Sequence, residues 1–163
     1  MSAAPVRLTR GAFVRVPLFM RIRGEEKQMR EMTLSATVDN IEVVTDFVNT
    51  DLKRMGCPLN IVRQIDIAVD ELFGNIACYG YETPGGRVTV RIKAADAPSG
   101  AIITFIDRGK PFNPLRAKAP DITLKPRERR IGGLGIYMVK KSMDGIDYVR
   151  ENGCNKLSIR KLF

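Results

Sequence analysis

Between Ile61 and Ile76 the apolar residues return at spacings of three and four: Ile61, Val62, Ile65, Ala68, Val69, Leu72, Phe73 and Ile76. That period places them on one face of an α-helix, which must be covered by another layer. Pro58 suits the first turn, where its missing N–H costs nothing, and the pattern carries the helix to about Tyr79. A second amphipathic stretch precedes it, with Ile41, Val44, Phe47, Val48 and Leu52 on its apolar face and Gly56 as its stop. Asp39, with Glu42 three residues on, reads as its capping box. The other regular segments have a period of two or are short apolar runs. "MTLSATV" (32–38), "RVTVRIK" (87–93) and "AIITFID" (101–107) read as strands, and "DYVREN" and "KLSIRKL" flank Asn152-Gly153, a strong hairpin signal. A third helix is expected from about Gly133 to Met143. The order is a strand, two helices, two strands, a long Pro-, Lys- and Arg-rich loop over 108–131, a helix and a hairpin. It predicts an α/β (α+β) two-layer sandwich, with a mixed, mostly antiparallel sheet and helices on one face.

A chain of 163 residues suits one domain with a real core. Residues 1–30 have no clean period and are rich in Arg. They read as a basic arm or as a start placed too early, with Met29 or Met32 as alternative starts, and residues 31–163 form the domain. No stretch approaches the ~18 apolar residues of a membrane span, and Arg15 and Pro17 interrupt any secretory h-region. Cys57, Cys78 and Cys154 show neither a disulfide framework nor a metal spacing, so a reducing cytoplasm is expected. The chain has no His, which excludes His-based nucleophile activation and His metal ligation.

The net charge of +9 is unevenly spread. Residues 1–30 carry seven basic and two acidic side chains, residues 31–107 six and eleven, and residues 108–163 fourteen and five. A basic C-terminal third fits nucleic acid, an acidic protein surface or a polyphosphate ligand, and composition does not separate them.

Three short motifs carry chemistry. Glu71 and Asn75 fall one helical turn apart on one face, at the edge of the apolar stripe. A carboxylate and a carboxamide so placed can bind a hard cation and orient a water; for this motif alone a solvated Glu and Asn pair is the commoner explanation. Asp107 ends an apolar strand, with Gly109 following. It can accept an amino hydrogen from a flat heterocycle, although Asp and Gly are frequent in ordinary strand-ending turns. The stretch "RRIGGLGIYMV" (129–139) puts Gly132, Gly133 and Gly135 within four positions where a helix is about to begin. Each glycine costs about 1 kcal/mol in a helix against Ala. In exchange the backbone can approach an anion, to which the first-turn N–H groups and the helix dipole are complementary. Arg129 and Arg130 add positive charge beside it. The plainer alternative is a Gly-containing loop before an amphipathic helix. The stretch is not a Walker A loop, since no Gly-Lys-Ser/Thr follows, nor a dinucleotide fingerprint, since a long loop precedes it rather than a strand.

In order and spacing the three motifs resemble the N, G1 and G2 boxes of the GHKL ATPase superfamily, whose fold is the Bergerat fold. More narrowly, "AVDELFGNIACYGY" (68–81), "FIDRGKPFNPL" (105–115) and "RRIGGLGIYMVKKSMD" (129–144) look like the bacterial anti-sigma factor serine/threonine kinases. The resemblance covers about residues 32–162. It implies ATP and Mg²⁺ as ligands. Glu71 would be the general base, on a protein hydroxyl or on water, and Asn75 the Mg²⁺ ligand. Asp107 would bind the adenine amino group, with Gly109 shaping that pocket. Gly132, Gly133, Leu134 and Gly135 would surround the phosphates, Arg129 or Arg130 would neutralise them, and residues 113–131 would form a lid. The implied substrate is an anti-sigma factor antagonist of the STAS type and the implied partner a sigma factor. No nucleic-acid or membrane partner is implied, and a homodimer is allowed. The chain departs from the pattern at Tyr79, where many relatives have His in N-x-x-x-H-G-Y, with Cys78 before it; this bears on the wall near the substrate. The basic arm is also outside the pattern.

The expectation is therefore a cytoplasmic protein kinase that phosphorylates an antagonist and so frees itself to hold a sigma factor. A nucleotide-gated binding module with little catalysis is the alternative, against which the intact Glu71 argues. A detached histidine-kinase catalytic domain and a nucleic-acid binder have less support; no aromatic-rich basic motif is present for the latter.

Overall fold

The computed structural model of the chain describes residues 29–83, 85–96, 98–116 and 134–163. Strand β1 (Arg30–Ser35) leads through a 3-10 turn (Val38–Asn40) into helices α1 (Ile41–Arg54) and α2 (Leu59–Tyr79). Strands β2 (Arg87–Ala94) and β3 (Gly100–Asp107) follow, then a 3-10 turn (Pro114–Arg116), α3 (Leu134–Ser142) and the hairpin β4 (Gly145–Glu151) and β5 (Cys154–Leu162). The five strands form one sheet in the order β1-β2-β3-β5-β4, and each of the four pairings is antiparallel. The last strand pair is thus inserted with its second member next to β3, which places β5 inside the sheet, between β3 and the edge strand β4.

Alternation along the strands divides the sheet's two faces. Val88, Val90 and Ile92 of β2, Ile103 and Phe105 of β3, and Leu157 and Ile159 of β5 are buried, and form one core with Val44, Val48 and Leu52 of α1 and Ile65, Val69, Leu72 and Phe73 of α2. Ile136 and Val139 of α3 complete it. The opposite face is mostly polar, with Ile102 and Ile106 of β3 among its few apolar residues: Thr33 and Thr89 share a hydrogen bond of 2.7 Å, Thr104 and Ser158 one of 2.8 Å, and Arg91 pairs with Glu31 at 2.7 Å. Among the described residues the antiparallel sheet is covered on one side only, which realises the expected two-layer sandwich. No helix among the described residues is long and apolar enough to cross a membrane.

The start of α1 differs from expectation. Asp39 lies inside the 3-10 turn rather than ahead of the helix, and Asn40 occupies the N-cap without a side-chain capping bond. Asn40 Nδ2 instead donates to the Ser35 carbonyl and to Thr37 Oγ1, at 2.8 and 3.1 Å. The amide side chain ties the end of β1 to the helix start, so the Asp39–Glu42 spacing is not used as a box. The stop is as expected. Gly56 has φ +71°, and the amides of Gly56 and Cys57 donate back to the carbonyls of Lys53 and Leu52, a Schellman motif. Asn152 and Gly153 both have positive φ, at 51° and 76°, as the two-residue turn of the β4–β5 hairpin requires. Of the arm expected over residues 1–30, Arg30 already belongs to β1, and residues 1–28 lie outside the described residues.

Candidate functional site

At one end of the sheet, α2, α3, the segment after β3 and the β4–β5 hairpin enclose a cavity of about 260 Å³. Its walls are apolar: Leu72 and Ile76 of α2, Ile136 of α3 and Leu157 of β5. Tyr79 and Phe112 also line it while remaining mostly exposed. Two buried polar residues, Asp107 and Asn155, face each other across paired strands. A cavity with mostly apolar walls and a few convergent polar groups is the usual make-up of a small-molecule site.

Asp107 is 6% exposed at the end of β3. Its Oδ1 accepts from the Gly109 amide at 2.8 Å and from Asn155 Nδ2 at 2.9 Å. Among the described residues no hydrogen bond reaches Oδ2, so the carboxylate keeps one acceptor for a cavity occupant. The segment after Asp107 is pinned to the end of α2. Lys110 N donates to the Gly80 carbonyl at 2.7 Å, and a Cβ on Gly109 would collide with that same carbonyl. Glycine at 109 is thus demanded by a close backbone approach.

Glu71 and Asn75 stand one turn apart on α2, Glu71 exposed and Asn75 half-buried at the cavity. Asn75 Nδ2 donates to the Glu71 backbone carbonyl. This uses one of the two N–H groups of the amide; Oδ1 makes no hydrogen bond among the described residues. Packing of α3 across α2 brings Gly135, in the first turn of α3, directly against the Glu71 carboxylate, where an added Cβ would overlap the carboxyl group. Asp70 faces elsewhere, accepting from Thr45 Oγ1 of α1 at 3.1 Å. Asp66, nearer the start of α2, is raised from the usual carboxylate range, chiefly by burial, with the Asn49 side chain opposing and the Asp70 charge adding to it.

The structure therefore brings Glu71, Asn75, Asp107, Gly109 and Gly135 to one end of the molecule, with Leu134 exposed at the start of α3. Arg129, Arg130, Gly132 and Gly133 lie outside the described residues, as does the expected lid beyond Arg116. Within 113–116, Asn113 Oδ1 accepts from Leu115 N at 2.9 Å in a short turn.

Sequence reasoning missed the hairpin's share of the site. Asn155 Oδ1 accepts from Tyr148 Oη and Arg150 Nη1, both at 2.7 Å, and Arg150 Nη1 also donates to the Gly109 carbonyl at 3.1 Å. A signal for it was present. Asn155, Leu157 and Ile159 occupy alternate, inward positions of one strand, and an amide among buried aliphatic residues needs partners.

The chain belongs to the family of histidine kinase-like ATPase domains, whose model it matches over residues 34–161. Among individual proteins it is similar to the serine-protein kinase RsbW of Halalkalibacterium halodurans, 25% identical over 141 residues and covering 81% of this chain and 82% of that one. RsbW of Bacillus cereus is 24% identical over 136 residues, with 78% of this chain and 81% of that one covered. The serine/threonine-protein kinase BtrW of Bordetella bronchiseptica is 22% identical over 95 residues, which span 58% of this chain and 66% of the relative. The fold is shared with the crystal structure of the RsbU and RsbW domains of a Mycobacterium tuberculosis protein, with a TM-score of 0.56 and 17% identity. That match covers 83% of this chain and 32% of the other, so the chain spans about a third of that longer polypeptide.

Proposed function

We propose that the chain is an ATP-dependent serine/threonine protein kinase of the anti-sigma factor type, acting on an anti-sigma factor antagonist and alternating between that antagonist and a sigma factor. The contact between the Glu71 carboxylate and Gly135 supports this reading, because it sets a carboxylate beside the start of α3 with Asn75 one turn further along. The names of the relatives, all serine or serine/threonine kinases, support it.

In this account the adenine ring fills the cavity and gives its 6-amino hydrogen to Asp107. The phosphates lie at the start of α3, where the first-turn amides and the helix dipole favour negative charge. A substrate Ser or Thr hydroxyl oxygen attacks the γ-phosphorus. The bond from that phosphorus to the β–γ bridging oxygen breaks, ADP leaves with the electron pair, and the hydroxyl proton passes to Glu71. Asn75 Oδ1 is the atom that would hold Mg²⁺, which supplies neutralisation of the phosphate oxygens when bound. The fit rests on a carboxamide oxygen at the cavity edge whose partner nitrogen donates to the helix.

Two variants test the parts. Asn75→Ala is expected to weaken Mg·ATP binding by about tenfold while leaving metal-free ATP binding unchanged; calorimetry with and without Mg²⁺ measures this. Equal losses in both titrations would remove the metal role. Gly135→Ala should lower phosphoryl transfer by ~10²-fold, because a displacement of about 1 Å at a reacting group is enough for that. Its thermal midpoint should stay or rise, since Ala is the better helix former by about 1 kcal/mol and the side chain that must move is exposed. Full transfer activity in Gly135→Ala would show that the Glu71 position is not critical.

A further inference from the structure

We infer that Asn155 is the positioning residue that sets the base specificity of the site, by holding Asp107 as an acceptor toward the 6-position of a purine. This rests on the nucleotide reading above and deepens it. Asp107, Asn155 and Arg150 are aligned across three neighbouring strands, with Asp107 opposite Asn155 and Arg150 opposite Asn155 on the other side.

Every hydrogen-bonding position of the Asn155 amide is used. Nδ2 donates to Asp107 Oδ1 and to the Lys110 carbonyl, each at 2.9 Å, and Oδ1 accepts from Tyr148 and Arg150. The orientation has one solution. A carboxylate and a carbonyl only accept, and a guanidinium only donates, so the reversed amide would set donor against donor and acceptor against acceptor in a residue 5% exposed. Arg150 therefore fixes Asn155, Asn155 fixes Asp107, and both tie down the segment that carries Gly109 and Lys110. With Oδ1 of Asp107 held by two donors, Oδ2 is left to meet the base. A 6-amino purine offers a donor there, and a 6-oxo purine an acceptor, which is rejected because neither partner is then satisfied.

The test compares binding of ADP and inosine diphosphate, which differ at the 6-position, by calorimetry on the full chain. Wild type is expected to prefer ADP. Replacing Tyr148 by Phe and Arg150 by Met together removes both donors that hold Asn155 Oδ1, leaves that oxygen unsatisfied and loosens the grip on Asp107, and should cut the preference by roughly tenfold. Asn155→Asp supplies a readout that loss of packing would not give. It sets a second carboxyl against Asp107, with Tyr148 and Arg150 facing it and the Lys110 ammonium engaged with Glu82 at 3.1 Å. Two such carboxyls cannot both ionise cheaply, so ADP binding relative to wild type should be weakest at about pH 8 and recover towards about pH 5.5 as one proton is shared. An unchanged base preference in the double variant together with a pH-independent ratio in Asn155→Asp would overturn the inference while wild-type ADP binding stood. Absence of nucleotide binding by wild type would overturn the nucleotide reading and this inference with it.

Discussion

Glu71→Gln is expected to lower phosphoryl transfer by ~10²–10⁴-fold, the usual contribution of a general base, while Mg·ATP still binds. Gln keeps the size of the side chain and its contact with Gly135, and it removes only the capacity to take the hydroxyl proton. Glu71 does not line the cavity proposed for the adenine ring, whose apolar walls come from Leu72, Ile76, Ile136 and Leu157. Asp70 does not replace it. That residue is about 100° around the helix and is engaged by Thr45 of α1. Transfer rates with labelled γ-phosphate, measured beside calorimetric ATP affinity, separate the two effects. A variant that transfers phosphate at the wild-type rate would exclude Glu71 as the base.

Asp107→Asn should weaken Mg·ATP binding by about 10²-fold, because neither orientation of the new amide fits and a buried group left unpaired carries a large penalty. If its oxygen faces Gly109 N and Asn155 Nδ2, its NH₂ meets the adenine amino group. If it is reversed, NH₂ meets the two donors that Asp107 now satisfies. The fold itself should persist, since the cluster of buried apolar residues does not include this position. Unaltered ATP affinity would show that the base binds elsewhere.

These two residues were legible in the sequence for different reasons than Asn155 was not. Glu71 and Asn75 belong to a long helix whose period is unmistakable, and i and i+4 on a helix share a face whatever the rest of the chain does. Asp107 stands at the end of an apolar strand, where polarity changes abruptly. Local patterns also sufficed for the Gly56 stop and the Asn152-Gly153 turn. At Asp39 a 3-10 turn and an Asn40 side chain reaching back to Ser35 take the place of the simple box that the local spacing suggests. Asn155, Tyr148 and Arg150 act only through the register of β3, β5 and β4, and that register depends on which strand enters between β3 and the edge. The meeting of Gly135 with Glu71 likewise depends on how α3 crosses α2. Spacing along the chain points to a glycine near phosphate, and only packing reveals a glycine required by a carboxylate.

A kinase of this kind moves the γ-phosphate of ATP onto a serine or threonine of another protein. The most direct measurement incubates the purified chain and the proteins that co-purify with it with γ-labelled ATP and Mg²⁺, then follows the label. Label is expected on a bound partner as an acid-stable, base-labile phosphoester, and the partner's hold on the chain should weaken as it is modified. An unlabelled partner that is retained only while ATP is bound, with tight ATP binding throughout, would contradict the kinase and leave a nucleotide-gated binding module in its place.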